Sequence, residues 1–456
     1  MATRHTDADA DAGASDETEE FVPFFGRFFP ESLALSVVLA LIALVVTIPY
    51  FAPLDQLELF TTGFYDLFAL QMALILFWVL SATVVESPPV GALFDHLAAL
   101  VPTSQPAIVY ATGAIALAFG WINWALGLVG GVLIGRRLCR RAREEGVAVH
   151  YPAVLTAGLL SLVLANQGLT SPGALLMADT ALAEMTGVFA DSTGAIGMTG
   201  FVLAPANLVP SLLLIVTLPL VLVGLAPDDE ADRRELASGS LLEGSIRSTL
   251  DHYTLPTRSE YTAADRLEQS RLISGVAVVI GIGSAGIHFA TGGALTLLWL
   301  LFCLMILGLL VHTRPMAFRS KTTHATRWAN HVAIPFMLYA VVFALLSGAE
   351  LYEPIGAALG TTELAPLVAS FGLGLAIPDP AAVWVIIGPG LVGGGADLLN
   401  SLVAVMYGAG LSNLWLGFLF CGILSIRGFD WRLFAKYAAV LSGYVLAVVS
   451  AALLVL

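Results

Sequence analysis

The chain has 456 residues, of which 58% are hydrophobic and 12% charged, and its formal net charge is −14. A mean hydropathy of +0.87 excludes an ordinary soluble enzyme and predicts an all-α polytopic membrane protein whose partner is the lipid bilayer. The acidic balance argues against a nucleic-acid partner. Three scattered cysteines indicate neither a disulfide framework nor a metal cluster, so we predict no metal and no cofactor.

The chain opens with a polar segment, residues 1–30. Its first twenty residues hold seven acids and one arginine, without the basic start and short apolar core of a cleavable signal. We therefore expect a retained, disordered N-terminal tail.

Two uncharged runs follow, from Ser32 to Tyr50 and from Leu67 to Val85, and each is long enough to cross a hydrocarbon core of about 30 Å. The loop between them carries Asp55, Glu58 and Asp66 but neither Lys nor Arg. Because basic residues concentrate in cytoplasmic loops, this loop is predicted to lie outside and the N-terminus in the cytoplasm.

The next apolar stretch, from Ala107 to Gly135, is interrupted around Trp121, Asn123 and Trp124. It is too long for one straight crossing, while each half is too short to cross alone. Five arginines follow between residues 136 and 143, which puts both ends of the stretch on the cytoplasmic side. The sequence therefore predicts a re-entrant hairpin, residues 107–135, whose tip lines a site because non-helical backbone at membrane depth needs polar partners.

An interrupted crossing comes next, from Ala153 to Met177, with Asn166, Gln167, Thr170 and Ser171 at its centre. One further crossing completes a first transmembrane repeat, residues 31–225. An acidic loop predicted to be cytoplasmic, residues 226–271, separates it from a second repeat, residues 272–456.

The second repeat has the same order of elements, after one additional crossing. Its hairpin, residues 364–392, is broken at Pro378, Asp379 and Pro380, and the crossing after it is predicted to be broken between Tyr407 and Asn413. Loop charges give this half the opposite orientation, so we predict an inverted repeat of about nine crossings and two re-entrant hairpins, with the C-terminus outside the plasma membrane.

Each broken crossing is expected to expose a helix N-terminus near mid-membrane, where partial positive charge and free N–H groups suit a carboxylate. No Lys or Arg lies within an apolar run, so these termini and nearby polar side chains are the candidate anion-binding groups. The predicted substrate-binding residues are Trp121, Asn123, Trp124, Asn166, Gln167, Thr170, Ser171, Ser412 and Asn413. The alternative is that the amides satisfy local backbone and the tryptophans only pack.

Asp379 stands out because an ionised carboxylate at the bilayer centre costs about 2.5 to 3.5 kcal/mol on insertion scales. It could bind a coupling cation such as Na⁺ or carry a proton. Asp before Pro also makes a favourable N-cap and N1 pair, so capping is the competing interpretation. The same two interpretations apply to Asp397 and Asn400.

Several short runs resemble the short-chain fatty acid transporter family, the acetoacetate and butyrate uptake type. These runs are Gly63–Leu76 (GFYDLFALQMALIL), Ile122–Gly131 (INWALGLVGG), Leu267–Leu272 (LEQSRL) and Pro315–Phe318 (PMAF). The resemblance covers nearly the whole chain after Phe21 and extends to the ion-transporter superfamily of paired re-entrant hairpins. It implies a small organic anion as substrate, an elevator-like motion and a homodimer.

The second hairpin tip departs from this family, in which a Ser- and Gly-rich tip precedes His-Trp. Here Pro378, Asp379, Pro380 and two alanines stand in that region before Trp384. Since Asp379 would repel a bound carboxylate, we hypothesise a small monocarboxylate that is moved together with a cation or proton that screens the acid.

Three other functions compete with this hypothesis. The same scaffold could transport another organic anion or act as a cation exchanger. A membrane enzyme is disfavoured, because the sequence has no HExxH or GxSxG motif and no clustered acid, base and nucleophile in its apolar runs. A channel would need a continuous polar pore.

Overall fold

The computed structural model describes residues 32–186, 189, 194, 196–235, 261–360, 362–393, 397–417 and 431–456, and all regular structure within them is helical. The predicted all-α class is therefore confirmed. The predicted disordered tail, residues 1–30, and most of the acidic loop 226–271 lie outside the described residues.

The helices of the first half of the chain are numbered α1 to α12. They are α1 (Ser32–Thr47), α2 (Pro53–Asp66), α3 (Phe68–Val85), α4 (Pro88–Leu100), α5 (Gln105–Ile122), α6 (Trp124–Glu144), α7 (Tyr151–Leu159), α8 (Ser161–Leu164), α9 (Pro172–Met177), α10 (Thr180–Thr186), α11 (Met198–Val202) and α12 (Pro205–Leu225). The predicted interruption at residues 166–171 is confirmed, since it separates α8 from α9.

The helices of the second half are numbered α13 to α23. They are α13 (Ala263–Glu268), α14 (Arg271–Ala290), α15 (Leu297–His312), α16 (Pro315–Ala325), α17 (Asn330–Ala333), α18 (Pro335–Gly348), α19 (Tyr352–Leu359), α20 (Ala365–Ala376), α21 (Pro380–Gly393), α22 (Leu398–Trp415) and α23 (Trp431–Val455). Residues 377–379 interrupt the second predicted hairpin, as expected.

Six helical segments of the described chain are long and apolar enough to cross a membrane. They are Leu33–Tyr50, Pro53–Val85, Gln105–Ile122, Pro205–Leu225, Ala263–Ala290 and Arg432–Val455. Large apolar side chains such as Val45, Leu220 and Val279 are exposed on three of these segments, where acyl chains can cover them. The protein is thus a multi-pass membrane protein, while the count of nine crossings stays a prediction.

Two segments expected to be loops contain helices instead. The acidic connection after the first crossing forms α2, because Pro53 occupies the first helical turn, Asp55 lies in that turn, and Gly63 packs against Ala344 of α18. The later connection contains α19, which is bent by 96° from α18. Loop charge correctly marked these segments as polar but carried no information on their packing.

The first predicted hairpin is an antiparallel helix pair, α5 and α6. Its register follows from small residues: a Cβ placed on Gly131 would lie 2.6 Å from Ala116 Cβ, and one on Gly135 would lie 3.0 Å from Thr112 Cγ2. A Cβ on Gly127 would likewise lie 2.8 Å from the carbonyl oxygen of Ala116. Glycine every fourth residue therefore lets the two arms touch along their length.

We expect Gly127→Ala to destabilise the protein by about 1–3 kcal/mol, because the new methyl group would overlap the backbone of α5. Gly283→Ala is the matched control, since a Cβ at Gly283 on α14 meets nothing within 4 Å and alanine favours a helix by about 1 kcal/mol. Thermal unfolding in detergent measures both. Equal melting temperatures for the two variants would contradict this packing.

The second predicted hairpin is more open than the first. Its first arm, α20, runs parallel to α22, with Ser370 beside Gly408 and Gly374 beside Ser412. Its second arm, α21, packs mainly on α19, where Gly390 meets Gly356. Gly374 and Gly390 thus face other helices, and each arm packs mainly on a helix outside the pair.

The predicted break between Tyr407 and Asn413 is wrong, because α22 is continuous from Leu398 to Trp415. Its glycines give close approach rather than a break. A Cβ on Gly410 would lie 2.7 Å from the carbonyl oxygen of Val163 in α8. This contact also brings α22 against the interrupted crossing of the first half.

Candidate functional site

The tip of the first hairpin is a single extended residue, Asn123, with φ −154° and ψ 130°. Its side-chain oxygen accepts hydrogen bonds from the N–H groups of Ala125 and Leu126, at 3.0 and 3.1 Å, and so caps α6. Its Nδ2 donates to Ser81 Oγ on α3 at 3.2 Å. The capping interpretation of Asn123 is confirmed, and the side chain also fixes the tip against α3.

The interrupted crossing wraps around this tip. The N–H of Leu169 donates to the carbonyl of Trp121 at 3.0 Å, and the N–H of Trp124 donates to Thr170 Oγ1 at 3.3 Å. Gly168 has no room for a side chain, because a Cβ would overlap the Trp121 carbonyl. Trp121, Asn123, Trp124 and Thr170 therefore lie together at the first tip, and their role in substrate binding stays a prediction.

Helices α12 and α22 brace the other side of the interruption. Asn207 Nδ2 donates to the carbonyl of Gln167 at 2.9 Å and to that of Phe201 at 3.0 Å. Ser211 Oγ and Tyr407 OH lie 2.9 Å apart, and Tyr407 OH also donates to the Asn207 carbonyl at 3.3 Å. Asn207, Ser211 and Tyr407 were not predicted, although a polar pair four residues apart in an apolar helix is a signal that could have found the first two.

Asp379 forms the tip of the second interrupted pair and is 2% exposed. Its Oδ1 accepts from the N–H of Ala382 at 3.0 Å, which makes it the cap of α21. The indole N–H of Trp78 on α3 donates to the same carboxylate. The hydroxyl of Tyr339 on α18 lies nearby but has no hydrogen-bond partner among the described residues. Capping is therefore real, but the carboxylate also has a partner from another helix.

Trp78 joins the two tips. Its ring centroid lies 4.0 Å from that of Trp124, the residue after the first tip, while its N–H binds Asp379 at the second. Both rings are buried, at 6% and 4% exposure. The tips of the two predicted hairpins thus meet around one aromatic pair, which sequence spacing alone could not show.

Three of the predicted polar residues are buried with unused hydrogen-bonding capacity. Gln167 is 0% exposed, and neither its Nε2 nor its Oε1 has a partner among the described residues. The same holds for Asn166 Nδ2 and Ser171 Oγ. Buried polar groups are almost always paired, so a group of unpaired amide and hydroxyl atoms at one interruption marks a place where another molecule can be bound.

The helix N-termini expected to bind an anion are partly occupied by capping side chains, and their role in anion binding stays a prediction. The terminus of α6 is capped by Asn123 and that of α21 by Asp379, so their N–H groups are in part already used. The half-helix α9 has only six residues, too few for a strong dipole. Because α22 is unbroken, the second half offers no mid-helix terminus there. The side chains of Gln167, Asn166 and Ser171 and the indole N–H of Trp121 are buried donors without a partner among the described residues.

The other predicted residues lie at different distances from the two tips. Ser412 is buried against Gly374, close to the second tip, and Asn413 is also buried on α22. Asp397 is exposed and caps α22 by accepting from the N–H of Asn400 at 3.0 Å. About fifteen residues of helix, roughly 22 Å, separate it from Ser412, so the structure supplies a capping role for Asp397 and Asn400 and no link to the tips.

A profile of the short chain fatty acid transporter family matches residues 16–456. The chain belongs to this family. A candidate short-chain fatty acid transporter of Haemophilus influenzae is 25% identical over 440 residues, covering 89% of this chain and 93% of its own. A protein of Escherichia coli with the same name is 24% identical over 427 residues, covering 90% and 92%.

Membership of the short-chain fatty acid transporter family confirms the resemblance drawn from the four sequence runs. It also agrees with the prediction that the protein is a transporter rather than an enzyme. The family assignment says nothing about the residues that bind substrate.

Proposed function

We propose that the protein is a secondary active transporter that takes up short-chain fatty acids or similar small monocarboxylates. The observation that carries this proposal is the unpaired amide of Gln167, fully buried where the interrupted crossing meets the first hairpin tip. Such a site is closed to solvent in this conformation, as expected for an occluded state of a carrier.

The chemistry of the site fits a small monocarboxylate. The amide N–H groups of Gln167 and Asn166 and the hydroxyl of Ser171 can donate to a carboxylate without introducing a buried cation. Apolar rings of Trp78 and Trp124 lie beside the same tip and offer a surface for a short acyl chain. A second carboxylate on the substrate would find no counter-charge among these groups, which favours monoacids.

Coupling is assigned to Asp379. The contacts described for its carboxylate are N–H donors, from Trp78 and from the backbone at the start of α21. Hard cations prefer several oxygen ligands, so these contacts favour a proton over Na⁺ as the coupling ion. An ionised Asp379 would repel the substrate carboxylate. Neutralisation of Asp379 when the substrate binds would therefore couple movement of the ion to movement of the substrate.

An inverted repeat with two re-entrant hairpins is part of the proposal. In both halves the first arm of the interrupted pair packs against the following crossing. Helix α5 meets α8, where a Cβ on Gly120 would lie 2.7 Å from the carbonyl oxygen of Ser161, and α20 meets α22. The loop charges support an N-terminus in the cytoplasm and a C-terminus outside the plasma membrane. The superfamily resemblance supports a homodimer.

We expect purified full-length protein in proteoliposomes to take up labelled butyrate in a saturable way, and accumulation to depend on an imposed proton gradient. Unlabelled acetate, propionate and acetoacetate should compete, whereas succinate, with two carboxylates, should compete at least tenfold less well. Linear, non-saturating flux would indicate a channel. Exchange of cations in the absence of any monocarboxylate would support the cation exchanger instead.

A further inference from the structure

A second group of unpartnered donors lies at the opposite end of the first hairpin, near the base of α6. Arg136 is 5% exposed, and its Nη1 has no hydrogen-bond partner in the described part of the chain. Thirteen residues of helix separate it from Asn123, which places it about 20 Å from the site at Gln167. It is therefore separate from the proposed transport site.

Arg136 differs from the other arginines of α6. Arg137 pairs with Asp95 at 2.9 Å, Arg141 with Glu145 at 3.0 Å and Arg143 with Glu235 at 3.7 Å. Arg136 has no acidic partner within the described residues and donates from Nε to the hydroxyl of Tyr151 at 3.3 Å. A buried guanidinium without a counter-ion is strongly destabilising, so this position calls for an anion.

His150 supplies a second donor next to Tyr151. Its Nδ1 accepts from the N–H of Arg234 at 3.1 Å, so the neutral ring carries its proton on Nε2. His150 is 3% exposed, and Nε2 has no partner in the residues described. Burial, followed by the charges of Arg234 and Arg233, lowers the pKa of His150 to about 4, so this N–H donor is present at neutral pH.

The connection after α12 closes over both residues. The N–H of Tyr151 donates to the carbonyl of Arg234 at 2.9 Å, and Arg233 contributes a buried Nε that likewise lacks a partner in the described chain. Gln105 ties this region to the start of α5, since its Oε1 accepts from the N–H of His150 at 2.9 Å. Arg136 and His150 therefore present donors without an acidic partner in the described chain. Arg233 pairs through Nη1 with Glu230 at 3.4 Å and adds only its Nε as a further donor. Tyr151 and Arg234 hold the three segments together.

We propose that Arg136, His150 and Arg233 form an oxyanion-binding site at the predicted cytoplasmic end of the first hairpin. A carboxylate or phosphate group would accept from Arg136 Nη1 and His150 Nε2 and supply the counter-charge that Arg136 lacks. The oxyanion has two possible sources, the transported acid after its release or inorganic phosphate of the cytoplasm. Bound there, it would fix the base of α6 to the connection around Arg234.

The test uses full-length protein in detergent with Gln167→Leu as the parent, so that the central site does not contribute. Melting temperature is measured against butyrate and, separately, inorganic phosphate, with ionic strength held constant by sodium chloride. We expect at least one anion to raise the melting temperature saturably, by about 2 °C, and Arg136→Gln to abolish that rise. Arg143→Gln, which removes a paired arginine from the same helix, should keep it.

A rise with butyrate identifies the transported acid as the occupant, and a rise with phosphate alone identifies inorganic phosphate. The proposal is overturned if neither anion stabilises the parent or if Arg136→Gln responds like the parent. Should Arg136→Gln fail to fold, His150→Asn decides, because asparagine can still accept from Arg234 but lacks the Nε2 donor. Because this experiment measures anion binding and not transport, a negative result would not bear on the uptake experiment that tests the proposed function.

Discussion

Replacing Gln167 by leucine is expected to reduce butyrate uptake strongly without unfolding the protein. Loss of a hydrogen bond to a charged carboxylate removes about 1.5–3 kcal/mol, which corresponds to a fall in uptake of roughly 10- to 100-fold. Because the amide of Gln167 is buried without partners in the described structure, leucine also removes a desolvated polar group. The melting temperature should therefore stay the same or rise.

The matched control is Asn207→Leu. The amide of Asn207 is satisfied by the carbonyls of Gln167 and Phe201. The Phe201 carbonyl also accepts from the N–H of Ala204, so leucine at position 207 removes the bond to the buried Gln167 carbonyl and should lower the melting temperature. Opposite shifts in melting temperature for these two neighbouring side chains would distinguish a substrate-binding amide from a structural one. Wild-type uptake by Gln167→Leu, or a loss of stability as large as that of Asn207→Leu, would contradict the assigned role.

The interruptions of the chain were predictable where backbone chemistry forces them. Asn123 between two apolar arms, and Pro378 and Pro380 around Asp379, break helices for reasons local to the sequence, and all lie at breaks in the structure. Arg136 directly after the first stretch predicts that the stretch ends on the cytoplasmic side. These signals act within a few residues and do not depend on neighbouring helices.

The predictions that proved wrong concern segments whose structure depends on packing against other helices. Gly408 and Gly410 suggest a broken crossing, yet Ser370 and the carbonyl of Val163 lie against them and α22 stays continuous. Glycine permits both a break and a close helix crossing, and only the partner helix distinguishes the two. For the same reason the acidic connection Pro53–Asp66 could not be recognised as a helix packed on α18.

The candidate site was predictable as a set of polar positions but not as a shape. Gln167 and Thr170 were identified because polar residues interrupt an apolar run. Trp78, Tyr339 and Tyr407 sit inside otherwise uninterrupted helices, where an aromatic residue is most simply explained by packing. Their importance follows from contacts between segments more than one hundred residues apart, and the hydrophobic periodicity of a single segment does not predict such contacts.

Asp379→Asn is expected to uncouple transport while preserving the fold. Asparagine caps a helix about as well as aspartate, so the hydrogen bond from Ala382 can remain, whereas the titratable charge is lost. Gradient-driven accumulation of butyrate should fall to the level of simple equilibration. Exchange of labelled for unlabelled butyrate across the membrane needs no net coupling and should persist, because asparagine keeps the cap of α21 and is neutral like a protonated aspartate.

Asp397→Asn provides the control that separates a cap from a coupling group. Asp397 also caps a helix, but it is exposed and no bond in the described structure joins it to the tips. Its replacement should leave both accumulation and exchange unchanged. Imposing a proton gradient and a sodium gradient in separate experiments then identifies the ion lost in Asp379→Asn, and undiminished accumulation by that variant under both gradients would reduce Asp379 to a helix cap.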